Sequence, residues 1–419
     1  MKILMLNDRI PPENRGGAGE VFWRLAKALH AANHDVHVIA ATDKASFDEN
    51  RDGIPTYHIH SHYPERFRAW YSLYNPQVNE RLKILYQQIK PDVVNGHNVH
   101  EHLGYHAFTL ANQQGIPVVF SSHDVMPFAY HKMAYFINPA ICGVPSPNAY
   151  RVPPLYNLKQ MRLRYNPIRN WRIRHVLAKH TQRRTAPSQE LATAHHANDL
   201  PEFMPVHNGI DVVDWQVSSD VVDSLRERLT LQGRKIILFA GRLTQAKGTI
   251  QLLDALKIVV QDVPTATLLV LSPVPIDEQI TDNKYADLRD NHIVSGGWLQ
   301  GDELVAAYHL ADIVAVPSVV FDTFPTVNLE AMATATPVLA SCYGGSREAV
   351  LDGETGYIVN PYDTGDLAHK ITNLLTDDDL RQRMGVSGQQ RVTSQFSIQT
   401  YRDNMLAAYR EAIDAYGAS

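Results

Sequence analysis

The stretch "ADIVAVPSVVFDTFPTVNLEAMATATPVLAS", residues 311–341, decides the fold. An apolar run ending in Pro-Ser predicts a buried strand, a helix is predicted from Thr326 to about Ala335, and a second apolar run follows it. This order is typical of a right-handed βαβ unit in a parallel sheet. Asp322 and Glu330 interrupt the apolar pattern where ligands bind such sheets. Carboxylates accept hydrogen bonds from vicinal hydroxyls, so the stretch also predicts a site for a hydroxyl-rich ligand.

Strands and helices alternate along the whole chain in two series. The predicted strands lie at 2–7, 35–41, 91–96, 117–122 and 184–188 in the first series, and at 235–241, 265–272, 291–297, 311–318, 336–341 and 355–359 in the second. Each series is long enough for one Rossmann-like, doubly wound parallel sheet with helices on both faces. The sequence therefore predicts an α/β protein of two domains.

The domain boundary is expected near 204–215, where Pro, Asn and Gly interrupt the pattern. This gives a first domain of residues 1–206 and a second of residues 207–396. Segment 397–413 places Ile398, Tyr401, Met405, Tyr409 and Ile413 on one helical stripe. It is predicted to be an amphipathic helix that packs on another element.

Composition limits the class of protein. The chain has 419 residues, of which 20% are charged, and a formal net charge of -5. A nucleic-acid-binding protein would be basic overall. Two cysteines are too few for a disulfide framework, which favours a reducing compartment. No apolar run approaches the length of a spanning helix. The sequence predicts a cytoplasmic protein, and peripheral contact with the inner face of a membrane stays open.

Two loops after predicted strands suit phosphate groups. In "GGAGEVF" (16–22), Gly16 and Gly17 lead into a helix whose N-terminus favours anions. Phe22 occupies the third glycine position of a dinucleotide fingerprint, which argues against a site for NAD. In "GRLTQAKG" (241–248), Arg242 and Lys247 lie beside a helix start and suit a diphosphate. The alternative is that Arg242 and Lys247 are solvated surface charges that bind no ligand.

These motifs together resemble a known family. The residues that carry the resemblance are "HNGID" (207–211), "GRLTQAKG" (241–248), "VPSVVFDTFPTVNLEAMA" (316–333) and "TPVLASCYGGSREAVLDGETGYIV" (336–359). They resemble the retaining glycosyltransferase family 4, also called glycosyl transferases group 1, which has the GT-B fold. The resemblance implies two Rossmann-like domains facing a central cleft, the first binding the acceptor and the second the nucleotide-sugar donor. It also implies that helix 397–419 packs back onto the first domain.

The resemblance assigns donor-site roles residue by residue. Arg242 and Lys247 would bind the diphosphate, Glu330 the ribose, and Asp322 the sugar hydroxyls at a position where the family usually has Glu. The other donor-site residues it implies are Gly16, Gly17, Gly297, Trp298, Phe324, Pro325, Thr326 and Val327. His123, in "FSSHD" (120–124), would lie beside the sugar and the reacting centre, so the predicted catalytic set is His123, Asp322, Arg242 and Lys247.

The predicted acceptor side draws on two other segments. In "NGHNVHEHLGYH" (95–106), His97 and Asn98 resemble the family's cleft loop, and zinc binding is the alternative for its four histidines. Asp124 follows His123. The apolar stretch 126–150 is either packing or an acceptor lid that carries Tyr130 and Tyr135.

The activity implied by the resemblance is transfer of a hexose from a nucleoside-diphosphate sugar, with UDP as the expected carrier, to an acceptor hydroxyl with retention. The acceptor would be a sugar, a lipid-linked molecule or a small molecule, in polysaccharide, glycolipid or glycoconjugate biosynthesis. No cofactor or metal is expected. The alternatives are a sugar-nucleotide epimerase, a non-catalytic nucleotide-sugar-binding protein and an NAD-dependent oxidoreductase. The basic segment 162–184 is either a solvated helix face or a surface for anionic lipid or a phosphorylated acceptor.

Overall fold

Residues 1–13, 16–130 and 138–418 are described by the structure, a computed structural model. They divide into two units. Unit 1 contains residues 1–130, 145–209 and 398–418, and unit 2 contains residues 138–144 and 210–397. The chain passes from unit 1 to unit 2 between Gly209 and Ile210, inside the segment where the boundary is predicted.

Unit 1 is built on an eight-stranded sheet with the order β3-β4-β2-β1-β5-β6-β7-β8. The strands are β1 (Lys2–Asn7), β2 (Asp35–Thr42), β3 (Phe47–Arg51), β4 (Ile54–His60), β5 (Val93–Gly96), β6 (Val118–Ser121), β7 (Arg183–Ala186) and β8 (Met204–Pro205). Its helices before unit 2 are α1 (Gly17–Ala31), α2 (Arg68–Tyr71), α3 (Pro76–Ile89), α4 (His106–Gln113), α5 (Tyr156–Met161), α6 (Arg169–His180) and α7 (Gln189–Ala197).

One edge of this sheet differs from the prediction. β3 and β4 form an antiparallel hairpin, joined by Asp52 and Gly53, which both have positive φ. The apolar pattern of the sequence does not predict these two strands, because β3 is charged and almost wholly exposed. The sheet is therefore mixed at this edge, and the pairings among its other strands are parallel.

Unit 2 contains a six-stranded sheet with the order β11-β10-β9-β12-β13-β14. The strands are β9 (Lys235–Ala240), β10 (Ala266–Leu271), β11 (Ile293–Ser295), β12 (Ile313–Val316), β13 (Val338–Ser341) and β14 (Gly356–Val359). Its helices are α8 (Ser219–Arg228), α9 (Thr249–Asp262), α10 (Ile276–Gln279), α11 (Ala286–Asn291), α12 (Gly301–Leu310), α13 (Thr326–Ala333), α14 (Ser346–Ala349), α15 (Thr364–Thr376) and α16 (Asp378–Gln395).

The apolar runs of unit 2 are continuous because both faces of the sheet are covered. Ile236 and Leu238 of β9 belong to one core cluster, and the alternate residues Ile237 and Phe239 belong to another. Successive side chains of a strand point to opposite faces, so a buried parallel strand has no polar face. All six strands of this sheet coincide with predicted strands.

Helix α17 (Ile398–Gly417) follows unit 2 in the sequence but packs in unit 1. Its stripe of Tyr401, Met405 and Tyr409 joins the core cluster that includes Phe22 and Leu25 of α1. The amphipathic pattern exists because this face is buried in unit 1.

The two cysteines differ from the sequence-based expectation. Cys142 and Cys342 form a disulfide with a Cα–Cα distance of 5.5 Å, although they are 200 residues apart in sequence. Asn138 and Pro139, in the same short segment, accept hydrogen bonds from Tyr343 and Asn360. Residues 138–144 are therefore fastened to unit 2, an arrangement that a count of two cysteines does not reveal.

No helix in the described part of the chain combines the length and the apolarity needed to cross a membrane.

The packing of α17 can be tested by truncating one side chain. Met405 is 0% exposed, so Met405→Ala should lower the free energy of unfolding by about 2–5 kcal/mol, the usual cost of a buried cavity. Asn404 on the solvent side of the same helix is the matched control, and Asn404→Ala should change it by less than about 0.5 kcal/mol. Urea denaturation of both variants measures the difference. Equal effects would mean that α17 is not part of the core.

Candidate functional site

The strand order of unit 2 reverses between β9 and β12, and ligands of such sheets bind where the carboxyl ends of these strands diverge. The loop after β9 carries Arg242 and Lys247, and the loop after β12 carries Asp322. The Nζ atom of Lys247 donates to Oδ2 of Asp322 at 2.7 Å. The predicted phosphate-binding lysine and the predicted sugar-binding carboxylate therefore form an ion pair with each other across the reversal point.

The two loops approach each other closely enough to need a glycine. The N–H of Val319 donates to the carbonyl of Ala246 at 3.0 Å. Gly248 has φ +76°, and a Cβ there would lie 1.9 Å from the carbonyl oxygen of Pro317. A side chain at Gly248 would force the loops apart and separate Lys247 from Asp322.

Asp322 is also held through its backbone. Its carbonyl accepts from the N–H of Gly345 at 2.8 Å, and a Cβ on Gly344 would lie 2.1 Å from that carbonyl oxygen. Ser318 donates to the Asp322 carboxylate at 3.3 Å. Gly344 therefore allows the two loops to meet at Asp322, and Gly345 supplies the N–H that bonds there.

Glu330 lies in α13, eight residues after Asp322 in the sequence. Its Oε2 atom accepts from the hydroxyl of Tyr308 in α12 at 2.7 Å, which fixes the orientation of the carboxylate. Arg242 is exposed and makes no ion pair with any described residue. The sequence patterns indicated neither the Tyr308 contact nor the pairing of Lys247 with Asp322.

The other predicted donor-site residues of unit 2 follow β11 and β12 of the same sheet. Phe324 is buried against the ring of Phe396, and Pro325 is the N-cap residue of α13, which begins at Thr326 and Val327. Gly297 has φ +71°, and Trp298 is 42% exposed. The positive end of the α13 dipole therefore lies directly after the Asp322 loop.

Unit 1 has its own reversal point, between β1 and β5, and a carboxylate lies there too. Asp8 follows β1, and its carboxylate accepts from the backbone N–H groups of Glu101, His102 and Leu103 at 2.7, 2.9 and 2.7 Å. The loop after β5 is thereby fixed to the end of β1.

A cavity of about 270 Å³ opens at this point of unit 1. Its lining is polar and carries charges of both signs. The lining residues are Asp8, Arg9, Glu13, Arg68, Asn98, His100, Glu101 and Asp124. Asn98 and Asp124 are predicted site residues and the other six are not. Asp8 and Arg9 could have been found, because they directly follow a predicted strand.

Asp124 is ionised at neutral pH. Burial would raise its pKa, but the charge and hydrogen bond of His100 and the N–H of Met126 lower the pKa of this carboxyl to about 2. The cavity therefore holds a fixed carboxylate beside a histidine.

A buried chain of hydrogen bonds runs from the sheet to His123. The amide nitrogen of Asn95 donates to the carbonyl of Val119 at 3.2 Å, which orients the amide. Its Oδ1 atom accepts from Tyr409 Oη at 2.8 Å and from His97 Nε2 at 2.7 Å. His97 Nδ1 lies 2.7 Å from Nε2 of His123.

This chain sets the tautomer of His123. Asn95 Oδ1 can only accept, so His97 carries its proton on Nε2, and its Nδ1 must accept from His123 Nε2. Nδ1 of His123 is then unprotonated. Burial, opposed by Asp124 and assisted by His100, lowers the pKa of His123 to about 4, so the ring is neutral at pH 7. His123 can accept a hydrogen bond from a ligand hydroxyl at Nδ1 and cannot donate one there.

His97 does not have the expected place in a cleft. It is 0% exposed and both of its ring nitrogens are bonded. Burial lowers its pKa well below the usual value. Its position is that of a residue that orients His123.

The remaining predicted residues of unit 1 lie as follows. Tyr130 has the guanidinium groups of Arg68 and Arg169 over its ring at 5.3 and 4.9 Å, and Arg68 also lines the cavity. Tyr135 lies outside the described residues. Gly16 is the N-cap residue of α1, which begins at Gly17.

The described residues include no group of three or more His, Cys, Asp or Glu that could hold a metal ion. The histidine-rich segment is divided among separate contacts. His97 contacts His123, His100 contacts Asp124, His102 contacts Ser61 and His106 contacts Tyr74.

Two family models match the chain. The model described as "Glycosyltransferase Family 4" matches residues 15–214, and the model described as "Glycosyl transferases group 1" matches residues 222–391. The chain belongs to the group 1 glycosyltransferases of family 4. The predicted family and the predicted transferase class are confirmed.

Individual relatives agree with this assignment. The chain is 27% identical over 420 residues to glycogen synthase of Mycobacterium tuberculosis, covering 96% of this chain and 92% of that protein. It is 34% identical over 250 residues to D-inositol 3-phosphate glycosyltransferase of Corynebacterium efficiens, covering 57% of each.

A solved structure with the same architecture is HepE of Anabaena in complex with UDP and glucose. The TM-score is 0.71 at 18% identity, and the match covers 97% of this chain and 98% of that one. This likeness shows the fold, and the predicted GT-B architecture of two parallel-sheet α/β domains is confirmed.

The close approach of Gly344 to Asp322 predicts that one methyl group added at Gly344 disturbs the site. Gly344→Ala should displace Asp322 and weaken nucleotide binding at least tenfold, because backbone atoms cannot yield to a Cβ at 2.1 Å. Gly353 is the matched control, since it also has positive φ but a Cβ there would meet nothing within 4 Å. Gly353→Ala should cost only the backbone strain, about 1–2 kcal/mol of stability. Calorimetric titration with nucleotides compares the variants, and equal affinities would contradict the role of Gly344.

Three buried histidines predict acid sensitivity of unit 1. Burial lowers the pKa of His97, His123 and His195, the last two to about 4 and about 3. The unfolded chain has a histidine pKa near 6.5, so between about pH 6.5 and pH 4 it binds more protons than the folded chain. Stability should therefore fall as pH falls through this window, by about 1.4 kcal/mol per pH unit for each histidine.

The test compares unfolding by urea at about pH 7 and about pH 5. His195→Phe should lose less stability on acidification than the wild type, by about 2 kcal/mol. His369→Gln, at an exposed position, should keep the wild-type dependence. Burial raises the pKa of Asp8, which acts in the opposite direction but is common to all three proteins. An unchanged dependence in His195→Phe would show that this histidine is not buried as a neutral ring.

Proposed function

We propose that the protein transfers a sugar from a nucleoside-diphosphate sugar, with UDP as carrier, to an acceptor hydroxyl with retention of anomeric configuration. The observation that carries the proposal is the Lys247–Asp322 ion pair at the β9/β12 reversal point, with Arg242 in the same loop. The HepE structure, which is a complex with UDP and glucose, supports the choice of donor, and the glycosyltransferase relatives support the transfer of a sugar.

The ion pair suits a donor that carries both phosphate and hydroxyl groups. A diphosphate brings negative charge to Lys247 and Arg242 and so competes with Asp322 for the ammonium group. Asp322 is then able to accept from hydroxyls of the sugar. Glu330, oriented by Tyr308, accepts from the ribose.

The same cations serve the chemical step. As the bond to the sugar breaks, negative charge gathers on the leaving diphosphate, where Arg242, Lys247 and the N-terminus of α13 stabilise it. Fixed groups of this kind contribute on the order of 10²–10³ in rate each.

The cavity of unit 1 is the proposed binding site for the acceptor. Asp8 and Asp124 offer carboxylate oxygens, and Arg9 and Arg68 offer guanidinium donors. Hydroxyls act both as donors and as acceptors, so a sugar or polyol fits this mixed lining. Polysaccharide, glycolipid or glycoconjugate biosynthesis, a cytoplasmic location and contact with a membrane stay predictions of the sequence.

The first experiment is thermal stabilisation by UDP, GDP, ADP and NAD in the presence of EDTA. UDP at about 100 times its dissociation constant should stabilise the wild type by about 2.7 kcal/mol. Arg242→Ala/Lys247→Ala should lose this response, because both cations contact the diphosphate. Arg234→Ala/Arg383→Ala, which removes two exposed arginines elsewhere in unit 2, should keep it.

Stabilisation by NAD alone, or an equal response of the double variant, would overturn the donor site. Transfer is then tested with UDP-sugars and a panel of sugar acceptors, and NMR of the product reports its anomeric configuration. An inverted product would overturn retention while leaving the donor site intact.

A further inference from the structure

One part of unit 1 has an unusual distribution of charge. Residues 125–189 contain no Asp or Glu, although the whole chain has 44 acidic and 39 basic residues. The segment contains exposed arginines and lysines instead. Arg162, Arg164, Arg172 and Lys179 are all basic, and none makes an ion pair with a described residue. A local excess of unpaired positive charge is thus concentrated on one part of an acidic protein.

Helix α6 turns part of this charge outward together with a tryptophan. It buries Ile173, Val176 and Leu177 on one side. Trp171 lies on the opposite side and is 59% accessible, and Arg172 is exposed beside it. An amphipathic helix normally has a polar outer face, so a large aromatic residue there is the feature that needs an explanation.

Further apolar side chains continue the same surface. Leu163 is fully exposed between the exposed Arg162 and Arg164, and Ile168 is 51% exposed just before α6. Phe67 immediately precedes α2 and is 41% exposed, and Trp70 lies within α2 and is 49% exposed. These residues occupy neighbouring segments of unit 1.

One hydrogen bond and one electrostatic effect relate these segments. The amide of Asn166 donates to the carbonyl of Ala69 in α2 at 3.2 Å. Tyr74 packs on His106 with ring centroids 4.9 Å apart, and the pKa of His106 is lowered by burial and then by the charge of Arg172. We call the exposed apolar and basic residues of these segments the basic-aromatic face: Phe67, Trp70, Leu163, Arg164, Ile168, Trp171 and Arg172.

We propose that the basic-aromatic face docks on the surface of an anionic lipid bilayer. Each Lys or Arg near such a surface contributes about 1 kcal/mol of attraction, and tryptophan prefers the boundary between headgroups and acyl chains. Leucine and isoleucine gain by entering the same boundary. A solvated helix face accounts for the cations but not for the exposed Trp171, Leu163 and Ile168.

Nucleic acid is the other polyanion that cations and aromatic rings could bind. It offers no apolar layer for aliphatic side chains such as Leu163 and Ile168. The bilayer therefore accounts for more of the face.

The face adjoins the cavity of unit 1. Arg68 of α2 lines the cavity, while Phe67 and Trp70 on either side of it belong to the face. A docked bilayer would thus lie beside the acceptor cavity and favour an acceptor carried by a lipid, a step that rests on the proposed function. Docking itself does not depend on it.

The experiment is flotation of the full-length protein with vesicles at low salt. One set of vesicles is phosphatidylcholine, and the other is an equimolar mixture of phosphatidylcholine and phosphatidylglycerol. The wild type should float with the mixed vesicles only. Arg164→Glu/Arg172→Glu should weaken this binding more than tenfold, and Leu163→Ala/Trp171→Ala should also weaken it.

Matched controls make the same changes in unit 2. Arg234→Glu/Arg383→Glu alters the charge equally, and Val213→Ala/Val386→Ala removes two exposed apolar side chains. Both controls should bind as the wild type does. Melting with and without UDP shows that each variant is folded, and this readout is unaffected by membrane docking, so a failure here is distinct from a failure of the donor site.

The proposal is overturned if the wild type ignores the mixed vesicles, or if the face variants and their controls bind alike. Binding of a labelled oligonucleotide without binding of vesicles would assign the face to nucleic acid instead.

Discussion

Each unit depends on a carboxylate that bridges the point where its sheet reverses. Parallel strands diverge there, and the loops that follow them have no ladder to hold them together. In unit 1, Asp8 collects three backbone N–H groups from the loop after β5. In unit 2, Asp322 bonds to Lys247 from the loop after β9. The contact in unit 1 is permanent, because backbone amides of the loop cannot exchange partners without unfolding it. The contact in unit 2 is exchangeable, because the Lys247 ammonium group can bind a phosphate in place of Asp322.

Sequence pattern alone predicts most of this architecture, since buried parallel strands are continuous apolar runs. It fails at the β3–β4 hairpin, where the exposed strand Phe47–Arg51 is charged and has no apolar face. It also indicates that Asp322 and Lys247 belong to one site, because both follow strands of one series. Their direct contact could not be predicted, because it depends on loops 75 residues apart meeting at Gly248 and Gly344.

The histidines show a different limit. Asn95 and His97 are two residues apart on one side of β5, which suggests that they share a neighbour. Asn95 in fact bonds to His97 itself and to Tyr409, which lies more than three hundred residues later in the sequence, and no local pattern relates Tyr409 to them. The expectation of His97 in a cleft followed from its position after a strand, whereas its packing buries it behind His123. Burial on this scale comes from tertiary structure and is not visible in spacing.

Helix α17 has a consequence for the order in which the protein is made. Unit 1 draws Met405 and Tyr409 from a segment that the ribosome synthesises only after residues 210–397, the main part of unit 2. The apolar side chains of α1 and the amide of Asn95 therefore lack their partners in α17 while unit 2 is being synthesised. The N-terminal half of the chain is thus the first to be translated, but its core cannot be completed until α17 has been synthesised.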